Sequence, residues 1–397
     1  MRVRSVVLTG LIALVAVVPA GAEPYGTADT LPPTVPVGYA ITASGLAPAP
    51  TSLSFSPDGS TLYVASAAGT VLSYPVVSGL LAGPPSVFLD GLSQPLGVLA
   101  TEESVFVSAN VAGPRTTGIV YRAPVSGGAL ETVISGLPNG RHNTNGLAIG
   151  PDGLLYIANG NSTDSGWEGG AAEIPPYSGS VVRVDPSATG LVPDPAMVVA
   201  TGFRNIYDLA FVPGTSTLAV PTNGPDGLTY GEITRPEGED ILAMFDVADG
   251  RVDHFLFPWC LHDRDNGGLD GFVQDPAGHP TPSGDCTTLP AEAYEGLDPQ
   301  TTDVARPAAL LGMHVSADGL EFDPATGDLF ITEFGNFFGE TVTGHKVVRA
   351  RFAEDGSVET VDDFITNILP LDLTFGPDGA MWIADLAGVL WRVAALA

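Results

Sequence analysis

Apolar and polar residues alternate with a period of two over short runs, and one phrase recurs: an alternating run, a Pro-Asp-Gly-like turn, then a second alternating run. It stands at Leu53 to Ser66, Leu147 to Asn159, Leu209 to Pro221, Leu320 to Thr332 and Leu373 to Asp385, with a degenerate copy at Val98 to Ser108. Alternation puts every second side chain on one face of a strand, while proline pre-sets φ and glycine takes positive φ at the turn. Each phrase therefore predicts a hairpin. A third strand follows each one, starting at Gly69, Gly118, Gly179, Asp240, His345 and Gly388. A fourth is expected at Ser86 to Leu92, Glu131 to Leu137, Ala196 to Phe203, Arg251 to Phe257 and Val361 to Asn367. No such strand follows the last hairpin, but Gly38 to Leu46 carries the same pattern at the N-terminus. The expectation is an all-β, six-bladed β-propeller whose ring is closed by that N-terminal strand, because radial closure protects the sheet edges.

The repeats are spaced 45, 49, 62, 111 and 53 residues apart, measured at Pro57, Glu102, Pro151, Pro213, Pro324 and Pro377. The long interval marks an insertion, roughly 258–306, rich in Gly, Pro and Asp and containing both cysteines. Arg2 and Arg4, an apolar stretch from Ser5 to Pro19, and Ala20-Gly21-Ala22 form a secretory signal, so residues 1–22 are expected to be removed and the product secreted or periplasmic. In an exported chain Cys260 and Cys286 are expected to pair, holding the insertion with about 3 kcal/mol. Residues 23–36 read as a flexible leader and 37–397 as one propeller domain.

Composition narrows the function. Fifteen Lys+Arg face 45 Asp+Glu, a formal charge of −30, and Lys346 is the only lysine. Such a chain repels a phosphate backbone or an anionic membrane surface and attracts divalent cations, so nucleic acid is excluded as a partner. After the signal no stretch is long and apolar enough to span a bilayer. Oligomeric state is left open.

In a propeller, loops entering the inner strands and loops leaving the second strands converge at one end of the axis. Entering loops carry Arg141 to Asn145, Phe203 to Asp208, Met313-His314 and Leu371-Asp372; exiting loops carry Asn110, Asn159, Asn161, Asp164, Asn223 to Asp226, Glu333, Asn336 and Asp385. The insertion adds Trp259, Cys260, His262 and Asp263. His142 and His314 are candidate general bases or ligands, against a structural role for each. Arg204 is a candidate anion anchor, against a salt bridge. Asp208 and Asp372 share a repeat position and either cap the channel or, with Asn223 and Glu333, offer oxygen ligands to calcium. The run Asp263 to Asp270 alternates oxygen ligands with glycine like part of a calcium loop. No G-x-S-x-G elbow, Walker loop or H-E-x-x-H is present.

RHNTNGLAIGPDGLLYIANG (Arg141 to Gly160), GFRNIYDLAF (Gly202 to Phe211), NGPDG (Asn223 to Gly227), FPWC (Phe257 to Cys260) and the C-terminal GDLFITE, GHKVVRARF and PLDLTFGPDGAMWIAD together resemble the soluble quinoprotein glucose/sorbosone dehydrogenases over most of residues 40–395. The resemblance implies a six-bladed propeller that oxidises a sugar hydroxyl or hydrate with pyrroloquinoline quinone (PQQ) and calcium. It implies His142 as the base, Arg204 and Asn205 on the cofactor, and calcium held by the carbonyls of Gly224 and Pro225 with Asn223 beside them; by loop and repeat position Asn223, His314 and Asp372 are expected with the cofactor and Asp208 with the metal. Lys and Arg clamps that glucose-oxidising members bring from the last two blades are absent, their places holding Glu333 with Phe334 and Leu369 with Leu371. A rival reading is a calcium-dependent, gluconolactonase-like hydrolase, because Asn145-Gly146-Leu147 and Asp208 also resemble that group's ligand phrases. A non-catalytic binding propeller is the third.

Overall fold

A computed structural model describes residues 31–111, 117–166, 177–230, 233–235, 237–262, 270–274, 280–282, 286, 297–336 and 342–396. The signal segment, the first part of the leader, Asp263 to Asn266 and His279 lie outside them. Nearly all regular structure is strand; a single 3-10 turn, Pro195–Met197, is the helical exception among the described residues. No helix there is long and apolar enough to cross a membrane.

The hairpins and third strands form where the alternation places them, in sheets that succeed one another along the chain. The first contains Pro50–Phe55, Thr61–Ser66, Thr70–Val77 and Ser86–Leu89; the second runs from Gly97–Ala100 to Glu131–Pro138. The third starts at Thr144–Ile149, the fourth at Asn205–Ile206, the fifth at Ala317–Phe322 and the sixth at Pro370–Phe375. In the sixth, Val389–Ala395 pairs antiparallel with Tyr39–Leu46, Tyr39 facing Ala395 and Leu46 facing Val389. The architecture is an all-β propeller.

Period two explains the packing. Tyr63 and Ala65 pack on Val98, Val105 and Val107 of the second sheet, while their strand neighbours Leu62 and Val64 pack on Trp382, Ala384 and Leu390 of the sixth. The same division recurs at each interface, so every sheet shares one core with the sheet before it and another with the sheet after it. Burial of some ten apolar side chains per interface, each contributing about 1.5–3 kcal/mol, fixes the order of sheets.

The inner strands are also tied to one another around the axis, through the residue that precedes the first leucine or valine of each phrase. Ser52 Oγ accepts from Val98 N (3.1 Å), Asp208 Oδ2 from Leu320 N (3.4 Å) and Asp372 Oδ2 from Leu53 N (2.8 Å). The intervening positions are Gly97, Gly146 and Gly319, where a Cβ would overlap Asn145 O, Asp208 and Asp372 respectively. Glycine is needed there because the next strand's backbone or carboxylate fills the space.

Two expectations change. Arg251 to Phe257 is not the outer strand of the fourth sheet: Val252–His254 instead lies parallel to Val198–Thr201 on the third sheet, with Thr302–Val304 beyond it. Ala309–Gly312, after the insertion, pairs with Asp240–Asp246 and completes the fourth sheet. The insertion thus leaves and returns along the edge of the neighbouring sheet, where parallel strands are possible because a long connection separates them. Thr34, within the expected leader, exchanges backbone hydrogen bonds with Thr366 on the outer strand of the fifth sheet.

Candidate functional site

His142 stands in the loop entering the third sheet and is 7% exposed. Its Nδ1 lies 2.8 Å from the carbonyl of Asn161, which leaves the second strand of the same sheet. A carbonyl only accepts, so Nδ1 carries the proton and Nε2 is the bare acceptor. Burial, and then the Arg204 charge, push this imidazole down to about 3, so it is neutral over the physiological range.

Arg204 enters from the fourth sheet. Its carbonyl accepts from Asn161 N (2.6 Å), its Nε donates to Asp164 O (2.8 Å), and its Nη2 is paired with the Asp164 carboxylate, with Asp226 Oδ2 3.9 Å away. Arg141 Nε lies 3.5 Å from the same Asp164 carboxylate. Burial pushes Asp164 up, but Arg204, His142 and Arg141 together hold it below its ordinary value. Asp164 is therefore the hub that fixes both guanidinium groups beside the imidazole. Sequence reading puts it in an exiting loop without a role; its partner is 40 residues away and no motif links them.

Amides continue the arrangement. Asn205 Nδ2 donates to Asn223 Oδ1 (2.7 Å), and Asn223 Nδ2 to Ala317 O (3.0 Å). Gly224 N donates to Asp240 Oδ1 (2.8 Å) and Ala317 N to Asp240 Oδ2 (3.0 Å); Pro225 O accepts from Gly238 N (2.9 Å). Burial lifts Asp240 to about 6. Gly160 lies between His142 and Asn205: a Cβ there would meet His142 Cβ at 2.6 Å and Asn205 Oδ1 at 2.8 Å. His142, Arg204, Asn205, Asn223, Gly224 and Pro225 are thus brought together by the fold. His314 reaches the group through acids, with Nδ1 3.4 Å from Asp226 and Nε2 3.0 Å from Glu237.

Asp208 and Asp372 belong to a different set. Both are buried on the axis as backbone acceptors, Asp372 holding Leu53 N and Leu373 N (2.7 Å). Burial raises both carboxyls, Asp372 to about 6 and Asp208 well above its ordinary range, with Asp318 and Glu321 nearby and raised for the same reason. Tyr207 crosses from the fourth sheet to Thr51 O of the first (2.9 Å) and fills the axis with Phe334 and Leu371. Asn145, the other residue of the lactonase reading, spends its amide on Ile206 O (2.6 Å). Among the described residues, no group of three or more His, Cys, Asp or Glu side chains is gathered as for a metal.

The polar residues that end the second strands are mostly fasteners. Asn110 donates to Gln94 O (3.0 Å), Asn159 to Pro138 O (3.2 Å), and Asp385 accepts from Leu369 N (3.3 Å) and Trp391 Nε1 (2.8 Å). Glu333, 1% exposed and lifted to about 7 by burial, lies 3.4 Å from Lys346, which also pairs with Asp363 (2.7 Å). Cys260 and Cys286 form a disulfide.

Solved structures share this fold. A carbohydrate-active enzyme of family AA12 from Trichoderma reesei, in its calcium structure, is 15% identical over 92% of this chain and 97% of its own, with a TM-score of 0.67. The holo PQQ domain of pyranose dehydrogenase from Coprinopsis cinerea is 14% identical, with the same coverages and TM-score. The soluble aldose sugar dehydrogenase of Escherichia coli, in its apo form, is 16% identical over 90% of this chain and 100% of its own, with a TM-score of 0.59. No protein-family model and no curated protein matches the sequence. What is shared at these identities is the propeller fold.

Proposed function

We propose that the chain is an exported, quinone-dependent sugar oxidoreductase built on a six-bladed ring that the strand Tyr39–Leu46 closes. The cyclic run of inner-strand contacts and the core shared by the sixth and first sheets support the ring. His142 carries the functional reading: its tautomer is fixed by Asn161 O, which leaves Nε2 as the acceptor, and the Arg204 charge acts on the ring. The AA12 and pyranose dehydrogenase structures add weight by their fold.

The residues fit PQQ and calcium. Arg204, whose Nε and Nη2 are engaged by Asp164, offers with Arg141 positive charge for carboxylates, and Gly160 lets the His142 loop and Asn205 pack against each other. Calcium would be held by the carbonyls of Gly224 and Pro225, the second of which also accepts from Gly238 N, and its charge would offset a polyanion in a chain of −30. PQQ, when bound, supplies acceptance of two electrons and the hydrogen of the substrate C–H bond. His142 Nε2 takes the proton of the sugar hydroxyl, and Asn161 O and Asp164 share the imidazolium charge that results. Arg204 and Arg141 weaken this base; an anion laid on Arg204 offsets that effect, so basicity rises with occupancy.

Protein reconstituted with PQQ and calcium should reduce a dye with aldoses, and His142→Asn should lower kcat about a hundredfold or more without altering the melt. Absence of quinone-dependent dye reduction with every sugar tested refutes the reading. Export is tested by sequencing the released product, whose first residue should fall near Glu23.

A further inference from the structure

The loops that carry the candidate site share one external support. Phe255 N donates to Thr201 O (2.8 Å) and Phe257 N to Gly202 O (2.9 Å), two to three residues before Arg204. Pro258 packs on Gly166, two residues after Asp164, so closely that a Cβ on Gly166 would stand 2.5 Å from the proline ring. His262 O accepts from Glu239 N (2.8 Å), next to Asp240, which holds Gly224 N and Ala317 N. Residues 255–262 therefore touch, in order, the loops of Arg204, Asp164 and Gly224. This stretch is not part of any four-stranded sheet; it opens the insertion, and Cys260 within it is bonded to Cys286. Cys286 O in turn accepts from Arg306 Nη2 (3.1 Å), where the chain returns to the ring.

We infer that the disulfide-held segment 255–262 is the positioning wall of the candidate site, with Pro258 and the Cys260–Cys286 bond as positioning residues that act through Asp164 and Arg204. Calling these loops a sugar site rests on the function proposed above; the support itself does not. A hub such as Asp164 orients two guanidinium groups only while its own loop is fixed, and a loop ordered by tertiary contacts outside its sheet loosens when they go. The bond closes a span of 26 residues. Opening it releases the stretch around Cys260 between the points at which the chain is anchored in the ring's cores, Phe255 before it and Leu297 and Ala305 after it.

The test needs no cofactor. Imidazole titrations followed by NMR, with the His142 signal assigned through His142→Asn, compare intact protein, Cys286→Ser and Pro258→Ala. Loosening admits water to His142 and moves Arg204 away, so its midpoint should rise from about 3 by a unit or more in both variants. Ile383→Val, a core change between the fifth and sixth sheets, serves as a destabilised control and should leave the midpoint in place. If Cys286→Ser does not fold, intact protein reduced with thiol under native conditions replaces it. An unchanged His142 midpoint after the bond is opened and in Pro258→Ala, or an equal shift in Ile383→Val, overturns the inference. Failure of dye reduction in the intact protein would bear on the proposed function alone.

Discussion

Replacing Asp372 by asparagine isolates the electrostatics of the axis. Asp372 is 4% exposed, accepts from Leu53 N and Leu373 N, and is hydrogen-bonded to Asp208. Burial lifts its carboxyl from 3.8 to about 6. The folded state thus holds this proton more tightly than the unfolded chain. Below the unfolded value both states are protonated and nothing is lost. As pH climbs through the folded value the unfolded state ionises freely and the native state only at a cost, so stability falls between about pH 4 and 6 and then levels. At about 1.36 kcal/mol per unit, the shift corresponds to about 3 kcal/mol. Asparagine cannot ionise and keeps one acceptor, at a pH-independent cost of about 1 kcal/mol for the lost hydrogen bond. Guanidinium unfolding followed by tryptophan fluorescence from pH 4 to 8 should therefore show wild type losing about 3 kcal/mol relative to Asp372→Asn as pH rises, with the variant the more stable above neutrality. A difference that stays flat, or grows in favour of wild type with pH, refutes the reasoning.

Gly146→Ala would drive a methyl into Asp208 and should lower stability by about 1–3 kcal/mol, read as a drop in the thermal midpoint; an unchanged melt would show that Asp208 of the fourth sheet is not held close there. His254 is pushed down to about 3 by burial, so the unfolded state takes up its proton first and stability is lost as pH falls below about 6.5. His254→Gln should flatten that acid limb in denaturant titrations. Lys346→Met leaves buried Glu333 without its cation; because that carboxyl ionises only near 7, the loss should be small at pH 6 and reach about 2 kcal/mol at pH 8.5.

The propeller was legible because its hairpins repeat a period-two pattern, all but the Val98 to Ser108 copy around a turn whose proline and glycine have specific backbone roles. The outer strand of the fourth sheet was not. Arg251 to Phe257 alternates well enough for a strand, but its pairing with Val198–Thr201 depends on where the insertion leaves, whereas the four residues Ala309–Gly312 give too short a signal. Loop position placed His142, Arg204, Asn223 and Asp164 at one end of the axis, but the contacts of Asp164 with Arg204 and Arg141 had no signal in the sequence. Neither that pairing, across 40 residues, nor Asp240, whose contacts lie 16 and 77 residues away, is marked by a motif. The shared repeat position of Asp208 and Asp372 is visible in sequence and allows either a cap of the channel or an oxygen ligand; that they accept from the next strand's backbone is visible only in three dimensions.

The central claim is that Arg204, set beside His142 by Asp164, receives the anionic cofactor. Calorimetric titration of PQQ with calcium into the purified mature protein addresses it directly. One equivalent should bind to wild type, and Arg204→Ala should weaken binding at least about tenfold, in line with loss of a partly buried positive charge. No heat with wild type, or equal affinity in the variant, would contradict the account.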